Sequence, residues 1–133
     1  MPELLKVKEI FEALAATSSR KEKEIILKEN KNNRMFAECL QFLLDSNIQT
    51  GISKSKIFKE LNSVSYNELN NIYDMIDYLI NNNTGRDIDV KTVQVFASKN
   101  EELKYFIFNL VTKTIKLGIT YKTVDKIMPG LII

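Results

Sequence analysis

An all-α fold is what this sequence predicts, as a compact single domain of six to eight helices. Apolar residues recur at three- and four-residue spacing along most of the chain, the period of one buried helix face. Turn formers are scarce: four glycines and two prolines in 133 residues are too few for the many turns of an all-β fold. Hydroxyl and amide side chains stand just ahead of several apolar stripes, where helix N-caps belong.

The first helix is expected over about residues 3–16, where Leu4, Val7, Ile10, Phe11 and Leu14 share a face. Ser19 followed by Glu22 reads as a capping box, so a second helix begins near Ser19 and runs to about Asn30. A third, about 33–46, carries Phe36, Leu40, Leu43 and Leu44. Thr50-Gly51 and the serines after it mark a loop, followed by a short helix over about 55–62. Ser65 and Glu68 form another capping-box candidate ahead of Leu69, Ile72, Tyr73, Ile76, Leu79 and Ile80, and "NNNTG" ends that helix. In "RDIDVKTVQVFASKN", Val93 and Val95 alternate as in a strand. A lone strand has no partner in a helical protein, so helix is the expectation. The next helix is expected to start at Asn100 as N-cap and to carry Lys113 and Lys116 in its last turn, with Gly118 just beyond. Thr120 caps a final short helix that Pro129-Gly130 ends.

Composition narrows the function classes. Hydrophobic residues make up 44% and charged residues 27%, a globular balance. The net charge of +2 permits a polyanionic partner without announcing one. No apolar run approaches the ~20 residues of a membrane span, and the charged N-terminal stretch has no signal-peptide core. A cytoplasmic protein without a membrane role is therefore expected, and a monomer. The single cysteine, Cys39, lies in an apolar helical pattern and reads as a buried small hydrophobe. There is no histidine, which removes the commonest general base and zinc ligand, and the four glycines are too far apart for a phosphate loop. Carboxylates sit beside lysines at helical spacing, as solvated pairs do. These residues suit a binding module better than an enzyme, so no catalytic residues, metal or cofactor are expected in this chain.

Three stretches, in order, carry a resemblance: "LAATSSRKEKEIILKEN", "NNNTGRDI" and "KTIKLGITYKTVDKIMPGLI". Together they resemble the N-terminal DNA-binding domain of ATP-dependent DNA ligases, in the compact form of T-even-type phages. The resemblance implies an all-helical module that grips duplex DNA across the minor groove on either side of a nick. It also implies that Pro-Gly-Leu-Ile leads into a nucleotidyltransferase domain, whose Lys-x-Asp-Gly lysine takes up AMP. Here the glycines follow Thr50, Thr84, Leu117 and Pro129, so that motif is absent from this chain. The expectation is an excised domain or truncated product of a ligase, ahead of a stand-alone gene that kept only the binding module. ATP and Mg would belong to the missing catalytic domains, which would be partners in cis.

The partner is then expected to be double-stranded or nicked DNA, held by phosphate contacts without a base code. Candidate contacts are Ser19, Arg20 and Lys21 at one helix start, Thr84, Gly85 and Arg86 at a second, and Gly118, Thr120, Lys122 and Thr123 at a third. Free amides, a hydroxyl and a cation at a helix start suit a phosphate. Lys54 in a fourth loop, and Lys113 with Lys116 on one helix face, complete the set. The DNA reading expects a basic stripe joining Lys54, Arg86, Lys113 and Lys122. Each residue also has a local reason, since Ser and Thr caps, a glycine after a helix and lysines at a helix C-terminus serve stability alone. Tyr66, Tyr73 and Phe106 read as core residues and not as base-stacking platforms. The rival expectation is a helical protein-interaction module, docking a partner through an apolar groove near the C-terminal tail.

Overall fold

The computed structural model describes residues 1–132 and is all-helical, with eight helices and no strand among the described residues. The chain divides into two compact units: Met1–Asp45 with the chain from Ile115 onward, and Ser46–Thr114. None of the described helices is long and apolar enough to cross a membrane.

In the first unit, α1 (Pro2–Ala16) packs on α2 (Arg20–Asn30) and α3 (Arg34–Leu44). The inward stripe of α1, from Leu4 to Leu14, is buried as its spacing requires, and Phe11 meets Phe36 of α3 edge-to-face at 5.7 Å. Asn33 caps α3 by accepting from the Phe36 amide. Cys39 is fully buried in α3, and burial pushes its thiol up to about 12. A thiol so protonated and enclosed is inert, so an Ellman-type reagent is expected to modify Cys39 only after denaturant is added; rapid labelling of the native protein would contradict this placement.

The second unit holds α4 (Lys54–Ile57), α5 (Ile72–Asn81), α6 (Asp87–Ser98) and α7 (Lys104–Val111). α6 and α7 pack together, and α4 packs on both. Helix is the outcome for "DIDVKTVQVFAS": Val93 is buried and Val95 half-buried on a helical surface. The last helix of the chain, α8 (Tyr121–Ile127), belongs to the first unit and packs on α2. Thr120 caps it by accepting from the Thr123 amide, as its sequence predicts.

Several expectations are corrected. Ser19 accepts from the Glu22 amide at 3.2 Å, but Glu22 does not reach back to it: its carboxylate accepts from the Thr17 hydroxyl, and Thr17 also takes the Ser19 amide. The helix expected from Ser65 begins only at Ile72. Asn71 caps it there, its Oδ1 accepting from the Asp74 amide, while Asp74 Oδ2 accepts from the amide of Asn70, one residue before the cap. The short helix expected over about 55–62 spans only Lys54–Ile57. Asn100 caps a turn rather than a helix, and α7 starts at Lys104.

The most consequential correction concerns Lys113 and Lys116, which share no helix face. α7 ends at Val111, and Lys113 lies beyond it with a left-handed φ of 57°. The Thr114 amide donates back to Asn109 O at 3.0 Å across the left-handed Lys113, a C-terminal closure that ends the helix where a lysine stripe was expected. Tyr66, read as core, is 45% exposed, while Phe106 is buried and Tyr73 half-buried. Of the tail, Leu131 is half-buried and Ile132 buried, while Ile133 lies outside the described residues.

Candidate nucleic-acid interface

The first unit gathers several of the expected contacts around one cleft. Helix α2 carries Lys23 at the position one turn before buried Leu27, so the lysine lies on the inward stripe and is only 7% exposed. Its ammonium donates to Leu117 O at 2.8 Å and to Gly118 O at 3.1 Å. These carbonyls account for two of its three N–H donors. Gly118 has φ +66°, which favours glycine, and a Cβ there would stand 2.6 Å from the Lys23 ammonium, so a side chain at this position would displace the lysine tip.

Around this buried cation opens a cleft of about 140 Å³, lined by Ser18, Arg20, Lys23, Gly118, Thr120 and Thr123 among others. Arg20 and Thr120 are exposed at its rim, while Thr123 is buried and exchanges a 3.1 Å hydroxyl contact with Thr120. Ser19 sits behind them as the α2 cap, and Lys21 and Lys122 are exposed on the first turns of α2 and α8. The acids nearby are already engaged. Glu22 is held by Thr17, and Glu24 accepts from Lys126 at 3.1 Å with Arg20 at 3.7 Å. The hydrogen bond from Lys126 holds the Glu24 carboxyl below the ordinary carboxylate range. The cleft therefore presents a fixed ammonium, an exposed guanidinium and hydroxyls, a donor set suited to one phosphate oxyanion.

Of the expected contacts of the second unit, Gly85 is buried and Arg86 and Lys113 are engaged in internal bonds. Gly85 is buried against Gly51: a Cβ on Gly85 would fall 2.0 Å from Gly51 O. Two Thr-Gly turns meet there backbone to backbone, an internal reason for the glycine that spacing did not suggest. Arg86 clamps Asp89, with Nε to Oδ2 and Nη2 to Oδ1 both at 3.1 Å, and Nη2 also donates to Asn82 Oδ1 at 3.0 Å. The first turn of α6 carries Asp87 and Asp89, so its N-terminal dipole already faces negative charge. Lys113 donates to Ile48 O. Lys54 and Thr84 remain exposed, as does Lys116 in the first unit. The stripe expected through Lys54, Arg86 and Lys113 is thus interrupted by internal bonds at two of its members.

Asp89 has a structural role that sequence reasoning missed. Its carboxylate is fully buried and accepts from Tyr78 at 2.7 Å as well as from Arg86. Burial pushes its carboxyl up, but the bonds from Arg86 and Tyr78 outweigh that and hold it below the ordinary range. A carboxylate with a lowered folded-state pKa contributes stability above its unfolded pKa, ~3.9, and that stability is lost as pH falls through the folded value. Asp89→Asn is therefore expected to destabilise the fold by about 2 kcal/mol at neutral pH and to flatten the acid limb of a stability profile measured by denaturant titration. An unchanged acid limb would contradict this.

Lys23 was also missed. The signal was present, since a lysine one turn before Leu27 sits on an inward stripe, but a charge on that stripe reads as solvated until a partner is known. Near the C-terminal tail, an open groove of about 460 Å³ is lined by Ala37, Ile127, Met128 and Leu131 together with Lys31 and Asn32. No family model matches the chain, nor does any curated protein or solved structure.

Proposed function

We propose that this chain binds double-stranded DNA through its sugar–phosphate backbone, without sequence preference, as the N-terminal module of an ATP-dependent DNA ligase acting around nicks. One observation carries the reading: the cleft in which Arg20, Lys23, Gly118, Thr120 and Thr123 converge. These residues come from the first and last of the ligase-like stretches, far apart in sequence. The groups lining the cleft recognise phosphate rather than bases, which suits an activity indifferent to sequence. Lys21 and Lys122, exposed on the flanking first turns, extend the positive surface for neighbouring phosphates.

The isolated module is expected to bind in the non-specific range, ~10⁻⁴ to 10⁻⁶ M, with full affinity reached when catalytic domains are linked to it. Fluorescence anisotropy with nicked, intact and single-stranded DNA tests this. The expected result is duplex binding that falls linearly with salt on logarithmic axes, with preference for the nick. Absence of duplex binding even at about 50 mM salt would remove the reading.

A further inference from the structure

The second unit carries an aromatic cleft that the duplex-binding reading does not use. Phe58, just after α4, is 58% exposed and Tyr105 of α7 is 61% exposed. Their rings stand 6.4 Å apart, tilted by 37°, and both meet the Phe108 ring edge-on, at 5.5 Å and 6.2 Å. The three rings wall a cleft of about 270 Å³. Two large aromatic faces left to water at one spot constitute a binding feature rather than scattered exposure.

The polar groups of this cleft define what fits. Gln94 lines it, and its amide nitrogen donates to Ile57 O at 2.9 Å and Lys59 O at 2.8 Å. Those two carbonyls fix the amide orientation, so Oε1 remains an acceptor. Ser98 donates its hydroxyl proton to Val95 O at 2.7 Å and likewise keeps acceptor capacity. Lys104 brings its ammonium within 5.9 Å of the Tyr105 centroid and 6.0 Å of the Phe108 centroid. Lys54 is exposed one turn before Phe58. The cleft thus combines flat rings, acceptors and a lining cation, Lys104.

We infer that it holds an unpaired, amino-bearing nucleobase of a single-stranded nucleic acid. The base stacks on Phe58 and Tyr105, its amino group donates to Gln94 and Ser98, and the flanking phosphates meet Lys104 and Lys54. An apolar peptide anchor would use the rings but leave the acceptors without donors, so the lining favours a base. This inference concerns a different unit from the phosphate cleft and stands independently of it.

The test is titration of the full chain with a short oligodeoxycytidine, followed by tyrosine fluorescence and aromatic NMR shifts. The expected result is shifts confined to Phe58, Tyr105, Phe108 and their neighbours. Phe58→Leu and Tyr105→Leu keep apolar bulk without a stacking face, and each is expected to weaken binding about tenfold. Both variants should retain duplex affinity, which separates this site from the other cleft. Oligothymidine, lacking an exocyclic amino group, is expected to bind more weakly. Unchanged affinity in both folded variants, equal binding of oligothymidine, or shifts only with an acidic leucine-bearing peptide would each overturn the inference, the last in favour of a protein partner.

Discussion

Gly85→Ala is expected to destabilise the second unit by roughly 3 kcal/mol or more, as much as truncating a buried core residue. Two causes add. The residue has φ +68°, where an L side chain costs about 1 kcal/mol or somewhat more. The new methyl would also lie 2.0 Å from Gly51 O and 2.8 Å from Gly51 C. Both are backbone atoms, and Gly51 is itself a left-handed residue whose own Cβ position is 2.5 Å from Asn83 O. Neither turn can retreat without breaking the other. Thr50 also anchors this loop, donating its buried hydroxyl to Val111 O at 2.8 Å. Gly130→Ala is the control: φ is +79° with nothing within 4 Å of the added methyl, so only the conformational cost of about 1 kcal/mol applies. Urea denaturation with m held common measures both. Equal midpoint shifts for the two variants would contradict the close approach of the Thr-Gly turns.

Lys23→Met is expected to lower duplex affinity about tenfold and to destabilise the first unit at the same time. The double effect follows from geometry. The ammonium stands between the carbonyls of Leu117 and Gly118 and the open cleft, so methionine removes the cation and leaves Leu117 O, in a buried contact, without its donor. Arg20→Ala separates the two consequences. Its side chain is 73% exposed and its pair with Glu24, at 3.7 Å, is loose, so stability should change by less than about 0.5 kcal/mol. Duplex affinity should fall nonetheless. A Lys23→Met protein that is folded, shown by an unaltered far-ultraviolet spectrum, and binds duplex as the wild type does would show that this ammonium only supports the Gly118 turn.

Most of the helical architecture was legible because local rules and burial agreed. The stripes of α1 and α3, that of α5 except for Ile80, which is exposed, the caps at Ser19 and Thr120, and the helix over the valine-rich run all follow from spacing and cap chemistry. Boundaries failed where two local signals competed. Ser65-Glu68 has the capping-box pattern, but Asn71 caps closer to the apolar stripe, with Asp74 reaching back to the Asn70 amide. After Val111 the chain closes the helix through a left-handed Lys113, with the Thr114 amide on Asn109 O, a closure that a non-glycine residue at that position did not signal.

The site was less legible, since charge in a sequence carries no direction. Arg86 reads as a phosphate ligand until buried Asp89 is seen beneath it, and Lys113 until Ile48 O is. Lys23 reads as solvent-facing until residues 94 and 95 positions downstream return to it. Nothing at short range could reveal that contact, because helix propensity and spacing are blind to partners so distant in the chain. All three helix starts have a polar, basic character in sequence; the first and third line a common cleft in the first unit, with Lys23 between them.

Whether this cleft takes a backbone phosphate of duplex DNA is decided by the salt dependence of duplex binding, compared between the wild type and Arg20→Ala/Lys122→Ala. Both residues are exposed, Arg20 lining the cleft and Lys122 on the first turn of α8, so the variant should fold unchanged. If the two side chains neutralise phosphates, the slope of log affinity against log salt should become shallower by about 1 for each phosphate left without its cation, with affinity lowered at every salt concentration. An unchanged slope and affinity in the variant would place duplex binding elsewhere on the chain and contradict the proposed role of the cleft.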